Sequence, residues 1–318
     1  MPEIRHGAGK NRNVAVHERR IEADGHHTRV LEVDGNGPLI LLLHGFADSS
    51  DTWRDLLAEL GARGHRGAAV DLPGFGRADG IARTGTLLGT YDSFVTAVIE
   101  VLREPGDGPV VVVGNSMGAT VALRAAGERE DVAAVVGLAP AGLGFQRELH
   151  LANGALKAIL PVLRIAYQVP YPTLAVQLAV ATYYRVRLAS GISNAWRFGS
   201  HFRGMSEFRR VGVLGRRLMT EVESGCLELD TIARPVTLIW GDRDPVCDPG
   251  GARTLLDAVP GSHLVLIDGG GHLPQIDQPH TVAGIIASIA DETAHRTDAS
   301  EADIDIRRHE GQGQQSDE

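Results

Sequence analysis

Ser116 stands in Gly114-Asn115-Ser116-Met117-Gly118, after four consecutive valines (Val110 to Val113) and before Ala119-Thr120-Val121-Ala122-Leu123. Glycines two residues either side of a serine let a chain leaving a strand turn at once into a helix, because a Cβ at either place would crowd the crossing backbone. Such a turn holds the serine in a strained conformation, with its hydroxyl above the sheet edge and at a helix N-terminus. A hydroxyl so placed is a nucleophile once a base takes its proton. The G-x-S-x-G spacing is weak by itself in a chain with 39 glycines. The buried-type strand before it and the alanine-rich helix after it are what favour a reactive serine over a serine that merely caps a helix.

The base is expected downstream, with a carboxylate to orient it. Of 13 histidines, His272 follows an apolar run and Gly269-Gly270-Gly271, which puts it on a tight loop, whereas His263 begins that run and His280 falls inside the last helix. The carboxylate should come from Gly241-Asp242-Arg243-Asp244-Pro245, directly after the apolar run that ends at Trp240. Two aspartates compete there. Asp244 is preferred, because the partner of His272 must reach sideways to a neighbouring strand and Asp242 is still held at the strand end. A tetrahedral oxyanion needs backbone N–H donors. Met117, next after the serine, and Phe46, in His44-Gly45-Phe46, are the candidates. His44 is read as bracing that turn, and Asp71 in Asp71-Leu72-Pro73-Gly74-Phe75-Gly76 as a turn former. No cluster of residues has metal-ligand spacing, so neither metal nor cofactor is expected.

These residues must be positioned by strands and helices that alternate. Residues 19–33 read as an antiparallel hairpin with Asp24-Gly25 at its turn. Strands follow at 38–43, 67–70, 110–113, 132–138, 235–240 and 263–267. Helices are expected at Thr52 to Arg63 with Ser50 or Asp51 as cap, at Tyr91 to Leu102, after Ser116, after Asp248-Pro249, and from Gln278-Pro279 to about Ala294. Strand–helix alternation means a mostly parallel sheet with helices on both faces, and ligands on such sheets bind beyond the carboxyl ends of the strands. Every motif above follows a strand. Between 141 and 226 the rhythm gives way to helical segments with an arginine-rich face (Arg203, Arg209, Arg210, Arg216, Arg217). Apolar residues there (Leu156, Ile159, Leu160, Leu163, Ile165, Leu174, Leu178) could roof an acyl pocket or pack on one another. The expected organisation is a disordered tail at 1–13, a core at 14–140, a helical lid at 141–226, a second core part at 227–294 and a disordered acidic tail at 295–318.

The composition, 43% hydrophobic and 22% charged, suits a protein with a sizeable core. A formal net charge of −9 excludes a nucleic-acid partner of the usual basic kind. Two cysteines, Cys226 and Cys247, make no disulfide framework and fit a reducing cytoplasm. No secretory h-region and no apolar run long enough to span a bilayer is present. Oligomeric state is left open.

The ordered set H-G-F, D-L-P-G-F-G, G-N-S-M-G, W-G-D-R-D-P and G-G-G-H resembles the α/β-hydrolase superfamily over most of residues 28–290. That resemblance implies an α/β-hydrolase fold, a chain order of serine, aspartate and histidine, and a helical lid at the 141–226 insertion. A serine at the nucleophile position is unlike the branches that form aspartyl esters. Within the superfamily the chain resembles esterases, and its Gly114–Gly118 and Ala139–Gly144 stretches look like carbon–carbon hydrolases of meta-cleavage products, with departures at Ala119 and Leu273. The implied activity is a cofactor-free serine hydrolase acting on a small-molecule apolar acyl ester. Hydrolysis of a vinylogous keto acid and a ligand receptor on the same fold are the competing expectations.

Overall fold

The apolar runs form a single eight-stranded sheet in the computed structural model, which describes residues 14–144 except 83, 105 and 106, a few isolated positions between 174 and 199, and 205–313. The strands are β1 His17–Ala23, β2 His26–Val33, β3 Asn36–Leu43, β4 His65–Val70, β5 Val110–Asn115, β6 Val132–Leu138, β7 Val236–Gly241 and β8 His263–Ile267. Their order across the sheet is β1-β2-β4-β3-β5-β6-β7-β8. β1, β2 and β4 pair antiparallel, and from β4 onward all pairing is parallel. The β1–β2 hairpin turns on Asp24 (φ 48°) and Gly25 (φ 69°), the two left-handed positions that such a two-residue turn requires. Leu43 lies opposite both Val70 and Gly114, and Leu138 lies opposite both Asn115 and Ile239. The carboxyl ends of the parallel strands are therefore level, and the loops after them share one edge.

The helices are α1 Arg54–Ala62, α2 Leu87–Leu102, α3 Met117–Glu128, α4 Met205–Glu223, α5 Ala252–Ala258, α6 Pro274–Asp277 and α7 Pro279–Gly313. Three boundaries differ from expectation, each for a physical reason. The segment before α1 opens as a 3-10 turn, Ser50–Trp53, capped by Ser49 and not by Ser50 or Asp51. The Asp51 carboxylate is instead taken by Arg29 and Arg54. α2 starts at Leu87, ahead of Tyr91, because the Thr86 hydroxyl accepts the Gly89 N–H at 3.2 Å. The last helix was expected to stop near Ala294 with a disordered tail from 295, yet α7 continues to Gly313. No proline follows Pro279, and alanine, glutamate and arginine favour continuation.

Successive residues of the central strands point to opposite faces. Leu39, Leu41, Leu43, Val110 and Val112 share a core with Tyr91, Phe94 and Val98 of α2 and Val121 of α3. Ile40, Leu42, Val111 and Val113 share the other with Leu56, Leu57 and Leu60 of α1 and Val282, Ala283 and Ile286 of α7. Each such side chain contributes about 1.5–3 kcal/mol on burial, so the sheet edge is carried on a rigid base.

In the 141–226 stretch, α4 buries Leu214 and Leu218. Leu174 and Leu178 are exposed (57% and 50%), while the other apolar residues named for a roof, and Arg203, lie outside the described residues. Arg209, Arg210 and Arg216 are exposed. Arg217 instead donates to the carbonyls of Ala82 and Gly85, and Glu221 accepts the N–H groups of Leu87 (2.6 Å) and Leu88 (2.9 Å) at the start of α2. Among the described residues, no helix is long and apolar enough to cross a membrane.

Candidate active site

Ser116 joins β5 to α3 with φ 53° and ψ −115°. A non-glycine residue in such a conformation costs about 1–3 kcal/mol and persists only where its surroundings fix it. Here the Ser116 N–H donates to the Leu138 carbonyl at 2.8 Å, and the Ser116 carbonyl accepts from Ala141 N–H at 3.2 Å and from Thr120 N–H at 3.1 Å. Both flanking glycines are required by space. A Cβ on Gly114 would drive into the Gly118 carbonyl, and one on Gly118 into the carbonyls of Leu43 and His44.

His272 lies after β8 and Asp244 after β7, both buried. His272 Nδ1 is 2.8 Å from Asp244 Oδ2. Oδ2 also accepts the Trp240 indole N–H (3.2 Å), and Oδ1 accepts the backbone N–H groups of Val246 (2.7 Å) and Cys247 (3.0 Å). With the carboxylate accepting on both oxygens, Nδ1 carries the proton and Nε2 is left as the basic nitrogen. Asp242, by contrast, is exposed at the strand end, with its N–H donated to Ile267 O and Arg243 N–H donated to Gly270 O. These bonds tie the two loops together, and the approach is so close that a Cβ on Gly241 would overlap the carbonyls of Gly270 and Gly271. Of the glycines before His272, Gly270 has no room for a Cβ against Ile267 and Gly241 (3.0 and 3.1 Å), and Gly269 takes a left-handed φ of 65°.

Asn115 is the residue the sequence reading passed over. Its side-chain NH₂ donates to the Leu138 carbonyl (3.2 Å) and to the His272 carbonyl (3.1 Å), linking the serine turn to the histidine loop. The third loop closes in through Gly45, where a Cβ would come within 3.0 Å of Asn115 Oδ1 and 3.4 Å of the Ser116 Cβ.

His44 is fully buried and bridges two turns: its Nδ1–H donates to Gly45 O (2.7 Å), and its Nε2 accepts the Leu72 N–H (2.9 Å). Both ring nitrogens are thereby used structurally, as expected of a bracing residue. The Phe46 ring lies edge-on to Phe75 (5.3 Å, 76°), under α4, where a Cβ on Gly215 would meet Phe46 Cζ at 3.0 Å. Met117 is buried. Asp71 is more than a turn former. It is fully buried and salt-bridged through both oxygens to Arg29, itself 1% exposed. Burial pushes the Asp71 carboxyl up, but hydrogen bonds and charge from Arg29 outweigh it and hold Asp71 below the usual carboxylate range. Asp277, at the end of α6, shows the opposite balance: burial raises its carboxyl to about 6, despite a hydrogen bond from the Gly271 N–H. Among the described residues no group of three His, Cys, Asp or Glu side chains is arranged to hold a metal ion.

A mostly parallel sheet of this strand order, with a strained serine turn after β5 and an aspartate–histidine pair after β7 and β8, defines an α/β-hydrolase fold. The sequence profile of the Alpha/beta hydrolase family matches residues 40–285, and the chain belongs to that family. It is 28% identical over 298 residues to the uncharacterized protein Rv2715 of Mycobacterium tuberculosis (84% of this chain, 79% of the relative). It is 26% identical over 282 residues to the human monoacylglycerol lipase ABHD6 (83% and 78%). The fold is shared with 2-hydroxy-6-oxo-6-phenylhexa-2,4-dienoate hydrolase from Rhodococcus sp. strain RHA1, with a TM-score of 0.69, 20% identity and coverage of 86% of this chain and 98% of that one. The chain is a hydrolase of this family.

Proposed function

We propose that this hydrolase cleaves a small or medium carboxylic ester through an acyl-enzyme, with Ser116 as nucleophile, His272 as base and Asp244 as its orienting carboxylate. The observation that carries the reading is the 2.8 Å contact between His272 and Asp244 beside the strained Ser116 turn. In the proposed cycle the Ser116 hydroxyl adds to the ester carbonyl while its proton passes to His272 Nε2. The oxyanion is met by the N–H groups of Met117 and Phe46. Collapse breaks the carbon–oxygen bond, and the leaving alkoxide takes the proton from His272. Water then repeats the sequence on the acyl-serine, releasing the acid and restoring Ser116. No metal or cofactor enters these steps. The 141–226 stretch is assigned as a helical lid over the acyl side, between core parts at 14–140 and 227–294. The free thiols of Cys226 and Cys247 fit a reducing compartment such as the cytoplasm.

The lipase relative favours an ester over other substrates. A second reading, carbon–carbon hydrolysis of a meta-cleavage-type keto acid, draws on the Ala139–Gly144 stretch, which reaches back to the serine turn through Ala141 N–H. A panel of aryl esters of graded acyl length, assayed beside a vinylogous keto acid, separates the two. Ser116→Ala should abolish turnover without unfolding, since it removes a single oxygen from a turn that backbone hydrogen bonds hold in place. Phosphonate labelling of a serine other than Ser116, or multiple turnover by the Ser116→Ala protein, would overturn the assignment. A single turnover followed by stable product retention would point instead to a ligand receptor.

A further inference from the structure

The turn that carries Phe46 is held at both ends by the turn after β4. At its start, His44 Nε2 accepts the Leu72 N–H at 2.9 Å. At its far end, the Ser50 N–H donates to Asp71 Oδ1 at 2.7 Å. Asp71 is itself immobilised. Arg29, from β2, donates Nε to Oδ2 (2.9 Å) and Nη2 to Oδ1 (3.2 Å), the Arg77 N–H donates to Oδ2 (2.8 Å), and Thr28 Oγ1 donates to the Asp71 carbonyl at 2.6 Å. The same guanidinium turns its other edge to Asp51, with Nη1 and Nη2 at 3.1 and 2.9 Å from its carboxylate. Asp51 follows Ser50, so one buried arginine grips both turns at once. The span between the anchors includes Ala47 at φ 60°, a left-handed non-glycine residue that relaxes unless it is constrained.

From this arrangement we infer that Arg29 and Asp71 are positioning residues for the oxyanion donor at Phe46, acting through the Ser50 N–H and the Asp51 carboxylate. The inference rests on the proposed function above. Two features separate this role from ordinary fold stabilisation. The cluster needs no buried ion pair to join β2 to β4, since backbone pairing of Val30 with Val70 through Val33 with Gly67 already does so. The two carboxylates that the guanidinium hydrogen-bonds, Asp51 and Asp71, face the loop edge of the sheet, where the donor must be aimed, and Glu18 of β1 lies further off at 3.6 Å. The carboxylate also excludes side chains from its surroundings, because a Cβ on Gly76 would overlap it.

Donors that stabilise an oxyanion act only when aimed at the position the charge will occupy. A displacement of about 1 Å lowers turnover by roughly 10²-fold with little effect on substrate binding. The link can be cut at one atom. Ser50→Pro removes the N–H that Asp71 accepts and puts the ring Cδ in its place, too close to Oδ1 for the present 2.7 Å spacing, so the end of the turn must part from the carboxylate. Ser50 is the first residue of its 3-10 turn, a position proline tolerates. Ser49 before it is extended (φ −154°, ψ 174°), as a residue preceding proline prefers. The Ser50 hydroxyl is buried with no hydrogen-bond partner, so its loss breaks no bond. Asp71→Asn is the companion variant and removes the charge that Arg29 holds.

The experiment measures kcat and KM on an activated aryl ester for wild type, Ser50→Pro and Asp71→Asn. Each rate is normalised to the sites titrated by a phosphonate, and thermal melts are run in parallel. The expected result is a kcat per titrated site lowered about 10- to 100-fold in both variants, with KM within about twofold. Binding of a boronic-acid transition-state analogue should weaken by the same factor as kcat. If kcat per titrated site stays at the wild-type value in either folded variant, so that activity merely follows the folded fraction, the positioning role is refuted. If wild type itself is not labelled at Ser116, the proposed hydrolytic mechanism fails first, and that outcome overturns the inference with it.

Discussion

Replacing Asp244 by asparagine is the perturbation whose consequences the geometry specifies most fully. Its two oxygens accept from Val246, Cys247, Trp240 and His272 at 2.7 to 3.2 Å. Asparagine offers one oxygen and one NH₂. The oxygen will face Val246 and Cys247, whose N–H groups are fixed by the loop. The NH₂ then meets His272 Nδ1 and the Trp240 N–H. The indole keeps its second acceptor, the Cys247 carbonyl at 3.2 Å, so it is not orphaned. The imidazole is forced to accept at Nδ1, which puts its proton on Nε2 and removes the base. Loss of the charged hydrogen bonds costs about 1.5–3 kcal/mol of stability. The wrong tautomer costs about 10⁴ in kcat in the serine-protease precedent, and a similar loss is expected here. Asp242→Asn, at an exposed position, should change neither by much. Steady-state kcat corrected by active-site titration, with urea melts of both variants, checks this. An Asp244→Asn enzyme within about tenfold of wild type, or a dead Asp242→Asn enzyme, would refute the geometric argument.

Asp277 should make stability depend on pH in a distinctive direction. Its folded value of about 6 lies above its ordinary 3.8, so its contribution is fully present below about pH 4 and is lost as pH rises through about 6. Asp277→Asn, neutral throughout, should match wild type in Tm at pH 4 and exceed it at pH 8. A difference that does not change with pH would contradict the burial argument. Glu221→Ala should destabilise by about 1 kcal/mol by uncapping α2. Glu221→Gln, which can still accept one of the two N–H groups, should recover part of the loss in a denaturant titration, and identical midpoints for all three proteins would show that the cap is idle.

What the sequence made legible was local. Period-two and run-type hydrophobic patterning located every strand, and glycine spacing marked the turn at Ser116 and the loop before His272, because steric demands there act over a few residues. The preference for Asp244 over Asp242 rested on reach between neighbouring strands, and it is the Asp244 carboxylate that lies 2.8 Å from His272 Nδ1. The failures were non-local. Ser49 displaced Ser50 and Asp51 as cap because Asp51 is committed to Arg29, a residue 22 positions away. Nothing in the alternating pattern of β2 marks Arg29 as the partner of Asp71, 42 positions on. Asn115 looked like a spacer within a motif, yet its side chain spans to a loop from the other end of the chain.

That last bond also orders events in time. Asn115 and His272 are separated by 157 residues, so at typical synthesis rates of 5–20 residues per second the serine turn leaves the ribosome roughly 8 to 30 s before the histidine loop exists. Until then the Asn115 amide lacks one of its two carbonyl partners. Under the proposed mechanism Ser116 also has no base before that point, so phosphonate reactivity is expected to appear only once β7, β8 and α7 have docked, and its onset would time that step.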